Sequence, residues 1–384
     1  MLRPRSLALL CLLVLLSAPA CRGAEKPFRY PEGKHGKGEL KYVNGLPVLM
    51  VEGTPQEIGE QIGVLALKPA PQIMDVLKEF LKDRKLEKVW PLLVTIGNGL
   101  FANFPADYRA EVEAMVKASG LKRDGFIVAN TVMDYTKLGG CSTLIVEGER
   151  SAGKGPLFGR NWDFPPAGKL YQYTLVIVYR PQGKHAFATV TLPGLIIGPT
   201  VINDAGLALA ANEVTSASDG SSKFNAKGTP LEVGMRRLME ECTTISEAEK
   251  LCRSLTPTTM ILLTLCDKKA GAVFEATTKQ LIVRRAEENV CCCTNHFRCK
   301  GLVTSTKCSR YDMLDKSREK PRLDVAEVAK QLDAVNQGAD TLHTMVFEPA
   351  SLRLHLAFGK GPSSKLPLKT LDLALLFRKE RGVK

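Results

Sequence analysis

The sequence predicts an α+β protein in which two sheets are each covered by helices on one side. Three observations carry that prediction. Residues 141–384 alternate antiparallel hairpins with pairs of helices, twice over. Residues 25–140 differ in character and read mainly as helix. The chain also has enough apolar material for a large core: of its 384 residues, 45% are hydrophobic and 24% charged, ample for one large domain or two moderate ones. Nothing in that balance suggests collagen, coiled coil or disorder, and neither an internal repeat nor a low-complexity segment interrupts it.

Taken in order, the first part holds one expected strand at 46–52. From Glu57 to Leu81 apolar residues then recur at three- and four-residue steps, which is the helical period. A second helix is expected near 108–118, ended by Ser119-Gly120. The second part opens with extended segments at 142–147, 156–164, 173–179, 185–192 and 199–214. The last of these folds back at Asn203-Asp204-Ala205-Gly206, whose residue types suit a tight hairpin. Helices follow at 230–241 and 246–255, then strands at 260–266, 272–276, 280–286 and 290–294. Helices at 310–318 and 325–334 precede closing strands near 343–347, 353–357 and 369–376.

Residues 1–20 read as a secretory signal rather than as part of the fold. Arg3 and Arg5 supply the positive start, Leu7 to Leu16 the apolar run, and Ala18-Pro19-Ala20 the small-residue cut site. The run is short for a membrane span, so a retained anchor is the lesser reading and export, periplasmic or secreted, is expected. Cys21 follows the cut directly and would carry a lipid if the signal were of the lipoprotein kind. The formal charge of +13 falls by two with the signal, to +11. That favours anionic surfaces or acidic substrates. The basic residues are dispersed and lack interleaved aromatics, so no nucleic-acid partner is indicated. Of eleven cysteines, Cys242 with Cys252 and Cys299 with Cys308 could pair in an oxidising compartment.

Cys141 stands apart. It starts an apolar strand directly after Gly139-Gly140, two residues that allow strained backbone and close approach. A lone cysteine there is also an ordinary small core residue, so its companions decide. Gly159-Arg160-Asn161-Trp162-Asp163 lies on the next expected strand, and a hairpin would bring Arg160 and Asp163 beside Cys141. A guanidinium stabilises a thiolate, and a carboxylate can hold an ammonium. Asn212 in Ala210-Ala211-Asn212-Glu213 and Asn295 in Thr294-Asn295-His296 end two further strands, where amides can donate to a developing oxyanion.

With Ser309-Arg310-Tyr311 and the stretch from Asn203 to Asn212, these segments resemble the isopenicillin N acyltransferase-like (acyl-coenzyme A:aminopenicillanic acid acyltransferase) family. That family is related to choloylglycine hydrolases and penicillin V acylases among the N-terminal-nucleophile hydrolases. The resemblance runs in order through the mature chain, concentrated in five short stretches. It implies a four-layer αββα sandwich and a precursor cut between Gly140 and Cys141, giving an N-terminal chain of residues 21–140 and a catalytic chain of 141–384 that stay associated. It further implies that Cys141 is the nucleophile and its freed amine the base, which removes the need for a catalytic histidine. Arg160 would tune the thiol, Asp163 hold the amine, Asn212 and Asn295 line the oxyanion site, and Arg310 complete the polar network. The expected substrate is a small acyl amide (an N-acyl amino acid, a β-lactam side chain or similar), cleaved through a thioester with no cofactor. The upstream segment favours the acyltransferase side of the family. The run 192–198 either borders an apolar acyl pocket or is ordinary core.

Three other readings compete. Cys293, His296, Cys299 and Cys308 have a spacing that could hold zinc, although 291–293 also reads as a buried strand of small cysteines. A papain-like protease would need His185 or His296 beside Cys141. An exported binding protein of the same fold, without activity, is the third; the intact set of Cys141, Arg160, Asp163, Asn212 and Asn295 argues against it.

Overall fold

The computed structural model describes residues 28–137, 139–164 and 170–378. The expected signal, its cut site and Cys21 lie outside the described residues.

The chain enters through three strands, β1 (Gly33–His35), β2 (Gly38–Val43) and β3 (Leu46–Gly53), where the sequence reading placed one. β2 and β3 are joined at Asn44-Gly45, both with positive φ (50° and 73°). That is the backbone of a two-residue hairpin turn matched to strand twist, and Asn-Gly is its preferred pair. Thr54 then caps helix α1 (Pro55–Ile62) in a reciprocal box with Glu57. The expected helical stretch up to Leu81 is broken at Pro69 and Pro71, resuming as α2 (Val76–Asp83). Helices α3 (Trp90–Phe101), α4 (Ala106–Ser119), α5 (Arg123–Ala129) and α6 (Val132–Tyr135) complete the first part. α1 crosses α4 at very short range: a Cβ on Gly59 would sit 2.2 Å from the Glu111 carbonyl oxygen.

Beyond Gly139 the strands follow the expected order: β4 (Gly140–Val146), β5 (Leu157–Asp163), β6 (Leu175–Pro181), β7 (Phe187–Thr191), β8 (Thr200–Asn203) and β9 (Ala208–Glu213). Helices α7 (Leu231–Glu241) and α8 (Ile245–Arg253) come next. They precede β10 (Ile261–Cys266), β11 (Gly271–Ala276), β12 (Leu281–Arg285) and β13 (Val290–Cys293). After α9 (Ser309–Asp315) and α10 (Val325–Asp333) come β14 (Thr341–Glu348), β15 (Arg353–Phe358) and β16 (Lys369–Asp372). The strand expected over 369–376 stops at Asp372. That side chain accepts the Leu375 N–H and starts the short helix α11 (Leu373–Phe377), which buries Leu373 and Leu376 three residues apart.

The strands form two sheets, ordered β1-β2-β3-β6-β7-β8-β9-β10-β11-β12 and β13-β4-β5-β14-β15-β16. Three apolar clusters separate the layers, and alternation along each strand sorts residues between them. Leu49, Ile177, Leu209 and Leu263 pack under helical Ile58, Val112, Phe126 and Leu238. Their strand neighbours Val48, Val178, Ala210 and Leu262 face Ile145, Phe158, Met345 and Leu356 of the other sheet. Leu144, Val146 and Val346 meet Leu314, Val328 and Leu332 of α9 and α10. Helix, sheet, sheet, helix is therefore the layering, a four-layer αββα sandwich. Each such aliphatic side chain contributes about 1.5–3 kcal/mol by leaving water.

The join between the chain's two parts lies inside a sheet. β3 runs parallel to β6, with Val48 opposite Val176 and Gly53 opposite Pro181. All other strand pairs of the two sheets among the described residues are antiparallel.

Candidate active site

β4 and β5 form the expected hairpin, with Gly140 opposite Asp163, Cys141 opposite Trp162 and Thr143 opposite Arg160. Arg160 is fully buried and reaches across to β9 of the facing sheet. Its Nη2 donates to Cys141 Sγ at 3.0 Å and to the Ala211 carbonyl at 2.8 Å, while Nη1 donates to Asn212 Oδ1. Cys141 Sγ itself lies 3.7 Å from the Ala211 carbonyl, a long thiol hydrogen bond. Burial pushes the Cys141 thiol up to about 11; Arg160 and Arg310 oppose the rise, and Asp163 and Glu213 add to it.

The Cys141 nitrogen is held separately. Its N–H donates to Asn295 Oδ1 at 3.0 Å. Arg310, at the start of α9, donates through Nη2 to the same oxygen at 2.9 Å, and through Nη1 to the Cys141 carbonyl at 2.7 Å and Ser142 Oγ at 3.0 Å. Asn212 Nδ2 donates to the Thr294 carbonyl and Asn295 Nδ2 to the Glu213 carbonyl, which leaves each amide a second N–H. All six expected site residues thus converge where the two sheets face each other. One contact differs from expectation. Both Asp163 oxygens are occupied, by Thr341 Oγ1 at 2.6 Å and Gln337 Nε2 at 2.8 Å, and the side chain that touches the Cys141 nitrogen is Asn295.

Gln337, Thr341 and Glu213 escaped the sequence reading. Glu213 Oε2 accepts the Gly139 N–H at 2.9 Å. Gln337 packs so close to Gly140 that a Cβ there would meet Nε2 at 1.9 Å. Glu213 directly follows Asn212, so its position on the strand end was visible; Gln337 and Thr341 carry no comparable signal.

The competing arrangements are not assembled. Among the described residues no group of three His, Cys, Asp or Glu side chains could hold a metal ion. The zinc reading of Cys293, His296, Cys299 and Cys308 therefore fails. Cys291 and Cys293 pack between the sheets and Cys292 on the opposite face, as alternation requires. Cys242, Cys252, Cys299 and Cys308 are all free thiols, so neither suggested disulfide forms. His185 pairs with Asp204 at 2.8 Å, and no histidine bonds to Cys141 Sγ among the described residues. Trp162 and Phe164, stacked at 5.3 Å, line an apolar cavity of about 110 Å³ with Met133, Leu170, Leu192 and Leu195. Of the run 192–198, Leu192, Pro193 and Leu195 border this cavity, while Ile196 and Ile197 are core.

One family model, acyl-coenzyme A:6-aminopenicillanic acid acyl-transferase, matches residues 150–362, just over half of the chain. The chain belongs to this family. It is thereby a homologue of N-terminal-nucleophile-type amidohydrolases and acyltransferases. The matched span includes Arg160, Asp163, Asn212, Asn295 and Arg310 and begins just after Cys141. No match is found among the curated proteins. Solved structures that resemble the chain include a mutant of the conjugated bile acid hydrolase from Clostridium perfringens, 13% identical over 61% of this chain and 92% of that one, with a TM-score of 0.45. The Caenorhabditis elegans N-acylethanolamine-hydrolyzing acid amidase ortholog is 16% identical over 60% and 100%, TM-score 0.44. Penicillin V acylase from Agrobacterium tumefaciens is 13% identical over 61% and 92%, TM-score 0.40. Among the described residues no helix is long and apolar enough to cross a membrane.

Proposed function

We propose that this family member is the precursor of an N-terminal cysteine amidohydrolase or acyltransferase that cuts itself between Gly140 and Cys141. The observation that carries the reading is the double grip on one residue: Arg160 lies 3.0 Å from the Cys141 thiol, and Asn295 lies 3.0 Å from its nitrogen. While Gly140 and Cys141 are joined, that nitrogen is an amide and no base. In self-cleavage Sγ adds to the Gly140 carbonyl carbon, the C–N bond breaks, and the nitrogen takes the thiol proton. Water then opens the thioester, leaving a Gly140 carboxylate and a free amine on Cys141.

The amine is what makes the second reaction possible. An α-amine titrates near neutrality and can take the proton of its own thiol. The thiolate attacks an acyl amide, the amine protonates the departing nitrogen, and a thioester remains for water or an acceptor amine. Arg160 supplies the cation beside the thiolate, and the second N–H groups of Asn212 and Asn295 are the candidate oxyanion donors. Small N-acyl amides with an apolar acyl group, such as N-acyl amino acids or β-lactam side chains, suit the cavity beside Trp162. On the signal-like start we propose export, with Cys21 as a candidate lipid site.

Mass spectrometry of the purified protein should find a chain beginning at Cys141, and Cys141→Ala should stay whole. A panel of chromogenic N-acyl amides should be turned over by the cut protein alone. An active chain with an intact Gly140–Cys141 bond would end the proposal.

A further inference from the structure

Glu213 ends β9 with only 4% of its surface exposed. It contacts the chain directly on the Gly140 side of the Gly140–Cys141 bond and reaches the Cys141 side through Asn295. Its carboxylate accepts the N–H of Gly139 at 2.9 Å; its carbonyl accepts Asn295 Nδ2 at 2.8 Å, and Asn295 in turn holds the nitrogen of Cys141. Gly139 is confined from the opposite direction as well, because a Cβ there would lie 2.9 Å from the Asp163 carbonyl oxygen. A buried carboxylate at this spot opposes ionisation of the neighbouring thiol. It is therefore a poor aid to thioester chemistry, and its geometry suits a different task.

We propose that Glu213 is a positioning residue for self-cleavage: it anchors Gly139 so that the Gly140 carbonyl stays within reach of Cys141 Sγ, and its charge rejects the new chain end once the bond is cut. The inference rests on the self-cleaving role of Cys141. Scission adds one water across the C–N bond, the hydroxyl to the Gly140 carbon and the hydrogen to the Cys141 nitrogen. The acid so formed ionises, so an anion appears one residue from the group that accepted the Gly139 N–H. Lys137 faces Glu213 and offsets part of its charge, yet two like charges in a desolvated setting repel far more strongly than in water. The contact that held the precursor thus weakens on cleavage, and the freed end withdraws from the space before Cys141 that a substrate needs.

The test follows precursor conversion by intact mass in wild type, Glu213→Gln and Glu213→Ala, each checked by thermal melting. Glutamine keeps an acceptor for the Gly139 N–H and should cleave within about threefold of wild type. Alanine should be slower by about tenfold or more, the rate equivalent of one lost charge-assisted hydrogen bond. A synthetic peptide of residues 134–140 with a free C-terminal carboxylate, added to the cut proteins, should inhibit the Gln variant at about tenfold lower concentration than wild type. A folded alanine variant that converts at the wild-type rate overturns the anchor. Equal inhibition of wild type and Gln variant overturns the rejection, and this arm decides the matter even if the alanine variant does not fold. A wild-type chain that stays whole would bring down the underlying reading too, a result distinct from a cut wild type beside an equally cut variant.

Discussion

Arg160 is fully buried, and among the described residues it makes no ion pair. A buried cation without a counterion is costly, and a thiolate on Cys141 would supply the missing charge. That attraction works against the burial that holds the thiol up at about 11. Arg160→Lys keeps the charge, but an ammonium cannot span Sγ, the Ala211 carbonyl and Asn212 as the planar fork does. Cys141 in the cut variant should therefore need a higher pH for alkylation by iodoacetamide than in cut wild type, and amide turnover should fall about a hundredfold. An unmoved alkylation profile would refute the pairing. Gly140 is constrained by a different kind of contact. A methyl group there would collide with Gln337, which also donates to Asp163, so Gly140→Ala should slow self-cleavage several-fold in wild type and cost much less on a Gln337→Ala background, where the clash is gone. An equal loss on both backgrounds would mean that backbone freedom, not the clash, is what Gly140 supplies. Cys141, Arg160 and Asp163 were legible because one hairpin carries all three, and strand register alone places them together. Gln337 and Thr341 were not, since a loop before β14 brings them in and only the pairing of β14 with β5 determines where that loop lies.

Among the elements, the hairpin of β2 and β3 has a readable signal in Asn44-Gly45; β3 falls where a strand is expected, while β2 escapes because it mixes charged and apolar residues without a long hydrophobic run. The ending of β16 was harder to foresee, for Leu373 and Leu376 fit a strand's composition as well as a helix's spacing. A sharper consequence lies where α6 meets α7. Asp134 and Glu232 are both buried, and each has one carboxyl oxygen without a hydrogen-bond partner. Burial pushes Asp134 up to about 6, against the pull of Thr258 and the Leu231 N–H; burial and then Asp134 push Glu232 well above the usual carboxylate range. Raised folded values mean the protonated pair belongs to the folded state. Its contribution is complete below about pH 4, the unfolded value, and for Asp134 is lost as pH rises through about 6. Asp134→Asn keeps the acceptor for the Leu231 N–H, 2.9 Å away, and has no proton to lose. It should gain about 1–3 kcal/mol over wild type at about pH 7.5 and little at about pH 4. Thermal melts across that range would show two parallel curves if the idea is wrong.

At the scale of the whole molecule, the proposed cut would divide a single sheet between two chains. β3 lies between β2 and β6, so the first part contributes strands on one side of a ladder that the second part continues. The helical layer is shared as well. Arg236 of α7 is fully buried and forks onto Glu111 of α4, with Nη2 2.9 Å from Oε2, while its Nε donates to Glu240 at 2.6 Å. Tyr108 of α4 donates to the same Glu240 at 2.7 Å. Neither part could leave without exposing its half of the apolar cluster beneath the helices and stranding buried charges. The two chains should consequently co-elute after cleavage as a particle of the precursor's size, and separate only in denaturant. Arg236→Ala tests the polar share of this hold. It leaves Glu111 buried without a cation and Glu240 with Lys184 alone, 2.6 Å away, a loss of about 3–5 kcal/mol for a broken buried pair. The cut variant should therefore fall apart at a clearly lower urea concentration than cut wild type. Arg236→Met, which fills the space without the charge, should be nearly as weak, since the two carboxylates remain. Adding Glu111→Gln and Glu240→Gln to it should recover part of the loss, because the stranded charges are then gone. If instead the N-terminal part dissociates from wild type in plain buffer once cut, the shared sheet is not what holds the parts together.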